Sequence, residues 1–268
     1  MSAAIARDLT GRARAACPEI DIEVFWDQLW AWRIGDARIP DPELLSRSEP
    51  DFAKRARSIE KYLRDADDYW FHVYKPQAGD VIVDIGAGRG EDVYAFSKAV
   101  GSTGMVWAIE PHPVSFLGLK KLCEWNGLSN VRILNYACTE RTERLWIETM
   151  EVWESNYVRD GEASEKSFSV DGISFDELSR REGIAAISFL KMNIEGAERY
   201  ALIGCRDALQ RTAKLCVAAH DFRADRGEGE SFRTFGFVRE FLTENGFRLT
   251  TRDADPRYYV PFHVHGER

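Results

Sequence analysis

The sequence predicts a doubly wound α/β domain, and three features of one stretch indicate it. Residues 81–85 (VIVDI) are short, apolar and β-branched, as in a strand buried on both faces of a parallel sheet. The glycine-rich turn of residues 86–90 (GAGRG) follows at once and allows backbone to approach a ligand closely. Val93, Phe96 and Val100 then recur at helical spacing. Strand, glycine turn and helix form the cofactor corner of a doubly wound sheet.

The rest of the chain continues this alternation of strands and helices. The sheet is expected to be mostly parallel and seven-stranded, with both faces covered. After the first strand, further strands are expected over residues 105–109, 131–134, 186–192, 215–219, about 247–252 and 258–264. Helices are expected from residue 91 and over residues 114–125, 197–211 and 235–244.

Composition limits the classes of protein and partner. At 268 residues the chain can bury a full core as one domain with a modest extension. Its 44 acidic side chains outnumber its 36 basic ones, which disfavours nucleic acid and anionic membranes as main partners. Five cysteines without CxxC spacing indicate reduced thiols rather than disulfides or a zinc site. No stretch has the length of a signal-peptide core or a membrane span, so we expect a cytoplasmic protein.

The glycine turn also discriminates between cofactors. A dinucleotide fingerprint would place its third glycine at position 91, which here holds a glutamate. Glu91 and Asp92 bring two negative charges to the helix start, where a pyrophosphate would otherwise bind. S-adenosylmethionine carries a sulfonium and an ammonium instead, so a site that binds it tolerates acidic residues at its entrance. The residues predicted to bind it at this corner are Asp84, Gly86, Ala87 and Gly88.

An acidic residue also follows the second strand of the predicted sheet. Glu110 stands directly before Pro111, where a carboxylate can bind two ribose hydroxyls through charge-assisted hydrogen bonds. Tyr136 and Ala137 lie in the loop after the third strand, at the same edge of the sheet, and we expect them to border the adenine. Dinucleotides use a similar acid, so the glycine turn has to decide between the two cofactors.

Three segments together resemble the FkbM family of S-adenosylmethionine-dependent methyltransferases. They are residues 79–88 (GDVIVDIGAG), 109–111 (IEP) and 189–198 (FLKMNIEGAE), and the first contains a pattern similar to motif I of class I methyltransferases. The resemblance implies a Rossmann-like fold and O-methylation of a hydroxyl on a sugar, polyketide or polysaccharide intermediate. Gly88 stands where the family usually has Asn. Asn193 stands where it usually has Asp, which removes a candidate base or metal ligand.

Four polar side chains follow the fourth and fifth strands. Asn193 and Glu195 follow one strand and His220 and Asp221 the next, so they should converge at one sheet edge. We predict His220 as a general base, because imidazole titrates near neutrality, with Asn193 and Glu195 as further catalytic candidates. Glu195 could instead anchor the helix that follows it, and His220 could be a satisfied polar residue. Asn193 and Asp221 could hold magnesium, although our prediction is that no metal is bound.

Residues 1–75 are predicted to form a helical extension before a methyltransferase domain of residues 76–268. The first helical pattern is rich in aromatic residues between Phe25 and Trp32. Such an extension packs on the sheet, or it forms a lid or the contact of a homo-oligomer. We expect it to shape the acceptor side rather than the cofactor site. A chain beginning near Asp65 should then keep some cofactor affinity and lose turnover.

Residues 141–169 interrupt the α/β alternation. Residues 144–149 alternate as a strand, and Trp146, Met150, Trp153 and Tyr157 occur among charged residues. The insertion is either a hairpin that covers the sheet end or part of an acceptor pocket.

The leading hypothesis is a cytoplasmic O-methyltransferase for a small-molecule or saccharide acceptor. One alternative is a nicotinamide-dependent oxidoreductase on a similar sheet. Another is a non-catalytic scaffold that uses the N-terminal aromatic residues to bind a partner.

Overall fold

A seven-stranded sheet lies at the centre of the chain. The computed structural model describes residues 2–46, 50–148, 157–159 and 167–268. The strands of the central sheet are β4 (Val81–Ile85), β5 (Met105–Ile109), β6 (Val131–Leu134), β11 (Ile187–Met192), β12 (Thr212–Ala218), β13 (Arg248–Thr250) and β14 (His263–Glu267). Their order is β13-β14-β12-β11-β4-β5-β6.

The strand directions confirm the predicted doubly wound α/β fold. Strands β6, β5, β4, β11 and β12 are parallel, and β14 is antiparallel to both β12 and β13. The chain moves outward from β4 to β6 and returns on the other side of β4 as β11. The carboxyl ends of β4 and β11 therefore flank a topological switch point, which is where doubly wound sheets bind ligands. The last strand begins at His263 rather than near 258, because residues 260–262 form a 3-10 turn.

Helices cover both faces of the sheet. The helices of this region are α4 (Glu91–Val100), α5 (Pro113–Trp125), α6 (Phe175–Glu182), α7 (Glu198–Ile203), α8 (Arg206–Leu209), α9 (Asp221–Asp225) and α10 (Phe235–Glu244). Ile82 and Phe189 point to the core beneath α4 and α5, whereas Val83 and Leu190 point to the core beneath α6, α7, α8 and α10. None of the described helices is long and apolar enough to cross a bilayer.

The helix predicted over residues 197–211 is broken into two. Gly204 separates α7 from α8, and a Cβ atom at this position would stand 2.1 Å from the carbonyl oxygen of Thr139. The backbone of the neighbouring loop therefore allows only glycine at the point where the helix breaks.

The N-terminal extension is only partly helical, and the helix predicted between Phe25 and Trp32 is wrong. The extension consists of α1 (Ser2–Ala16), β1 (Ile22–Asp27), β2 (Leu29–Ile34), β3 (Ala37–Pro40), α2 (Phe52–Ala56), α3 (Ser58–Asp65) and a π-helical turn (Ala66–Trp70). A run of aromatic and β-branched residues favours strands, and Gln28, with φ of 65°, closes the turn between β1 and β2. Trp30 and Trp32 are buried, so the aromatic helical surface expected to mediate a homo-oligomer does not form.

The meander β1–β3 is fixed to helix α5. Asp27 accepts hydrogen bonds from Trp125 Nε1 at 2.9 Å and from Lys121 Nζ at 3.1 Å. The side-chain amide of Asn126 donates to the carbonyl of Arg38 at 2.7 Å and accepts from its N–H at 2.8 Å. The extension thus packs behind the cofactor corner, and a domain boundary at residue 75 stays a prediction.

The insertion belongs to a second, four-stranded sheet. Its strands are β7 (Ala137–Cys138), β8 (Glu143–Glu148), β9 (Tyr157–Arg159) and β10 (Ser167–Ile173), in the order β7-β10-β8-β9. β8 pairs antiparallel with both β9 and β10, and Ile147 of β8 also lines the cavity described below. Met150, Trp153 and the side chain of Tyr157 lie outside the described residues.

Candidate active site

A cavity of about 880 Å³ opens at the carboxyl ends of β4, β5, β11 and β12. With the exception of Asp84, every site residue predicted from the sequence lines it. These residues are Gly86, Ala87, Gly88, Glu110, Pro111, Tyr136, Ala137, Asn193, Glu195 and His220. The predicted cofactor and catalytic residues therefore share one space.

The glycine turn lies against the end of β11. Gly86 has a φ of 83°, and a Cβ atom there would stand 2.0 Å from the carbonyl oxygen of Asn193 and 2.8 Å from Ile194 Cγ2. Glycine is therefore required by the protein's own backbone, before any ligand is considered. Gly88, with φ of 56°, directs its N–H to Glu110 Oε2 at 2.9 Å.

Glu110 directly follows β5, and its carboxylate faces the glycine turn. Oε2 accepts from Gly88, and Oε1 accepts from the N–H of His112 at 2.8 Å. Burial raises the pKa of Glu110 to about 7, although the two N–H donors oppose this rise. Each carboxylate oxygen keeps a lone pair for a further donor, so Glu110 can receive two ribose hydroxyls as predicted.

Asp84 lies beneath the cavity rather than on its surface. Its buried carboxylate pairs with the Lys191 ammonium of the neighbouring strand at 2.8 Å. Lys191 also donates to the carbonyl of Gly86 at 2.8 Å and lies 3.3 Å from Asp92. Burial raises the pKa of Asp84 to about 6, an effect that Lys191 opposes. Asp84 therefore supports the glycine turn through Lys191. The motif of residues 189–198 includes Lys191, but its contact with Asp84 depends on the register of β11 against β4, which the sequence does not show.

His220 is held between two carboxylates. Its Nδ1 lies 2.8 Å from Glu198 Oε1, and its Nε2 lies 2.9 Å from Glu195 Oε1. Burial acts to lower the pKa of His220, but the two glutamates outweigh burial and raise it to about 10. Both ring nitrogens then carry protons at neutral pH and no lone pair is available. The prediction that His220 is a general base does not fit this geometry.

The two glutamates are themselves anchored, and they differ in exposure. Glu198 is fully buried and also accepts from Thr234 Oγ1 at 2.9 Å and from the N–H of Gly196 at 3.1 Å. Glu195 lines the cavity, and its Oε2 lies 2.8 Å from Arg223 Nη1. Glu195 also has a left-handed backbone, with φ of 52°, a strained conformation that occurs frequently at functional sites. Sequence reasoning missed Glu198 and Arg223, although Glu198 ends the motif FLKMNIEGAE.

Asp221 belongs to a different structure. Its Oδ2 accepts from the N–H groups of Thr234 and Phe235 at 2.9 and 2.8 Å, so it caps helix α10. The carboxylate of Asp221 is therefore not available for the alternative in which Asn193 and Asp221 hold magnesium. Within the described ranges, no group of three His, Cys, Asp or Glu side chains is arranged to hold a metal ion.

The extension contributes to the cavity wall and contacts the glycine turn. Arg89 of the glycine turn is buried and pairs with Glu43. Arg55 and Asp41 form an ion pair at 2.9 Å in the cavity wall, where Tyr62 is buried beside them. The extension was expected to shape the acceptor side alone. Glu43 places part of it against the glycine turn, and its role on the acceptor side stays a prediction.

The fold and this corner define a class of protein, the class I S-adenosylmethionine-dependent methyltransferases. Gly86, which no side chain could replace, and Glu110, with its free lone pairs, fit that cofactor. The sequence model of the methyltransferase FkbM domain matches residues 84–249. The chain belongs to this family, whose methyl donor is S-adenosylmethionine.

Solved structures share the fold. A methyltransferase FkbM from Methylobacillus flagellatus KT has 19% identity and a TM-score of 0.53, over 80% of this chain and 52% of that one. This chain thus spans about half the length of that protein. Fibrillarin from Aeropyrum pernix, solved with bound S-adenosylmethionine, has 15% identity and a TM-score of 0.43, over 71% and 66% of the two chains. No curated protein matches the sequence significantly.

Proposed function

We propose that the protein is an O-methyltransferase acting on a hydroxyl of a sugar or another polar natural-product or polysaccharide intermediate. The observation that carries this proposal is that one cavity joins the glycine turn and Glu110 to a polar wall containing Glu195 and Asn193. The formal charge of −8 favours such acceptors over nucleic acid. Five free cysteines support a reducing, cytoplasmic compartment.

The cofactor would be held by the residues of the glycine turn and its neighbours. Glu110 would receive the ribose hydroxyls, and Tyr136 and Ala137 would border the adenine, because they lie beside Glu110 in the cavity wall. The backbone of the turn at Gly86 would approach the rest of the cofactor. When bound, S-adenosylmethionine supplies a methyl group made electrophilic by its sulfonium.

Glu195 is suited to orient the acceptor hydroxyl. Transfer forms a C–O bond, breaks the C–S bond and releases the hydroxyl proton, finally to water. The Glu195 carboxylate lines the cavity and is fixed by His220 and Arg223, so a free lone pair can accept the hydrogen bond of the hydroxyl. Both oxygens of this carboxylate are already engaged, one by His220 and the other by Arg223. We therefore assign it mainly to positioning, which can supply much of the acceleration.

The test is methyl transfer from [methyl-13C]S-adenosylmethionine to a panel of methyl glycosides, nucleotide sugars and polyols. NMR spectra and mass spectra of the products locate the label. We expect it on a hydroxyl oxygen, and we expect Glu195→Gln to lower kcat without changing S-adenosylhomocysteine affinity. Glu240→Gln, at an exposed position outside the cavity, is the control. Label on nitrogen or carbon would exclude O-methylation, and unchanged turnover in E195Q would exclude the role of Glu195.

A further inference from the structure

Two aromatic rings form a rim of the cavity that is open to solvent. Phe222 of α9 and Tyr258, which precedes the 3-10 turn of residues 260–262, both line the cavity. The two rings meet edge-on with their centroids 5.4 Å apart. Tyr258 is 56% exposed, so this aromatic rim lies at the opening of the cavity rather than in the core. A ligand that occupies the cavity can therefore reach it directly.

Arg226, an exposed residue that directly follows α9, lies against both rings of the aromatic rim. Its guanidinium carbon stands 4.1 Å from the centre of the Tyr258 ring and 5.6 Å from the centre of the Phe222 ring. Arginine stacks on aromatic rings through the face of its guanidinium, whereas its N–H donors point outward in the plane of that group. The rings therefore hold the cation in place and leave its donors accessible.

The charge of Arg226 is not neutralised by the protein, although the chain has more acidic than basic side chains. Among the described residues, its guanidinium makes neither an ion pair nor a hydrogen bond. The four acidic residues nearest to it in the chain are all bound to other groups: Asp221 to the first N–H groups of α10, Asp225 and Glu230 to Arg233, and Glu228 to Arg223. Arg226 is thus a positioned cation whose donors are unused.

The aromatic rim continues into the cavity wall that contains Glu195. The ring of Phe222 lies 5.6 Å from the ring of His220, and His220 Nε2 lies 2.9 Å from Glu195 Oε1. One aromatic ring therefore separates Arg226 from the histidine that holds Glu195. Under the proposed function Glu195 orients the acceptor hydroxyl, so Arg226 lies on the acceptor side of the cavity.

From this arrangement we infer that the acceptor is anionic and that Arg226, held by the aromatic rim, binds its carboxylate or phosphate group. This inference rests on the proposed function and adds a charge to the acceptor, which the proposed function leaves open. A planar guanidinium can donate two parallel hydrogen bonds to an oxyanion, and such charge-assisted bonds are stronger than those to a neutral hydroxyl. A cationic acceptor would be repelled. Arg226 would therefore select among polar acceptors by charge.

The experiment follows the arginine Nε–H resonances of 15N-labelled protein saturated with S-adenosylhomocysteine, which keeps the probes out of the cofactor site. The probes share one ring and differ in charge: methyl glucoside, methyl glucuronide and glucose 1-phosphate. Arg226→Gln assigns the Arg226 signal. Arg239, an exposed arginine over the ring of Phe235 and outside the cavity, is the matched control. We expect an anionic probe to shift the Arg226 resonance and to leave that of Arg239 unchanged.

Variants then test whether the charge and the shape of the guanidinium matter. Arg226→Gln should weaken binding of the anionic probe by about tenfold, the lower end for a hydrogen bond to a charged group, because the site is exposed. Arg226→Lys, which keeps the charge and loses the planar fork, should restore only part of this affinity. Added salt should weaken binding to the wild-type protein and should have little effect in R226Q. Arg239→Gln should change neither this binding nor the affinity for S-adenosylhomocysteine.

The possible outcomes separate this inference from the proposed function. No binding of either anionic probe, equal binding of methyl glucoside, unchanged affinity in R226Q, or an equal response of Arg239 would each overturn the inference. Methyl transfer to a neutral saccharide that is as fast in R226Q as in wild type would also overturn it and would leave the O-methyltransferase proposal intact. Binding of an anionic probe at Arg226 without methyl transfer to any hydroxyl would support the anion site and contradict the proposed function.

Discussion

The buried pair of His220 and Glu198 should give the protein a bell-shaped stability difference against pH. The perturbation is the double variant H220Q/E198Q, in which neutral amides of similar shape replace both charges. The two glutamates raise the pKa of His220 from 6.5 to about 10. Burial acts to raise the pKa of Glu198, but the charge and hydrogen bond of His220 outweigh burial, and this pKa is lowered. The advantage of wild type over the variant should therefore be greatest between about pH 4.5 and 6.5.

The sign and size of each limb follow from these shifts. A histidine with a raised pKa contributes its full stability below pH 6.5 and loses it as pH rises through about 10. At 1.36 kcal/mol per pH unit, this gap corresponds to a fall of about 5 kcal/mol in the free energy of unfolding. The contribution of Glu198 is present above pH 4.5 and is lost as pH falls through its lowered value. Because the double variant lacks both groups, other titrations cancel in the difference.

The assay is urea denaturation of both proteins at intervals from pH 4 to 10, monitored by tryptophan fluorescence. His72→Gln, at an exposed position, should show no alkaline fall. The turnover rate of the wild-type protein should likewise show no change near pH 6.5 that is caused by titration of His220. A stability difference that stays flat or rises above pH 6.5 would refute the reasoning, because it would mean that His220 is neutral and available as a base.

Three further predictions concern the cofactor corner. Glu110→Ala should weaken S-adenosylhomocysteine binding by about 1.5–3 kcal/mol. The affinity of the wild-type protein should decrease below about pH 7, because the carboxylate of Glu110 becomes protonated there. Calorimetry at several pH values measures both effects, and an affinity that does not depend on pH would contradict the assignment of Glu110 to the ribose. Lys191→Met should destabilise the fold by about 3–5 kcal/mol in denaturation, because it leaves Asp84 as an uncompensated buried charge, and adding Asp84→Asn should restore part of the loss. Glu43→Gln should weaken cofactor binding through Arg89, and equal affinity in both proteins would show that the extension is independent of that corner.

Much of the fold could be predicted from the sequence because local signals agree there with the tertiary structure. The strand of residues 81–85, its glycine turn and Glu110 follow one another closely in the chain. The meander at the N-terminus could not be predicted, since Gln28 rather than glycine or asparagine forms its turn, and β2 is buried on both faces without alternation. Its apolar residues therefore resembled those of a helix.

The chemistry of the site was less predictable than its location. That His220 is a cation depends on Glu198, whose side chain turns back into the core, whereas the sequence neighbour Asp221 caps helix α10. The role of Lys191 depends on the register of β11 against β4, which places it opposite Asp84. Contacts across strands decide protonation here, and a linear sequence does not display them.

The ion pairs between the π-helical turn and the C-terminal segment bear on the order in which the molecule assembles. Arg252 and Arg257 bind Asp68 across 184 and 189 positions of the chain. Lys191, by comparison, reaches the glycine turn across 105. Closing a longer loop costs more chain entropy, and during synthesis the later segment emerges last. The glycine turn can thus acquire its strand partners before the π-helical turn is joined to the C-terminal segment, so the part of the cavity wall that these two segments form is completed last.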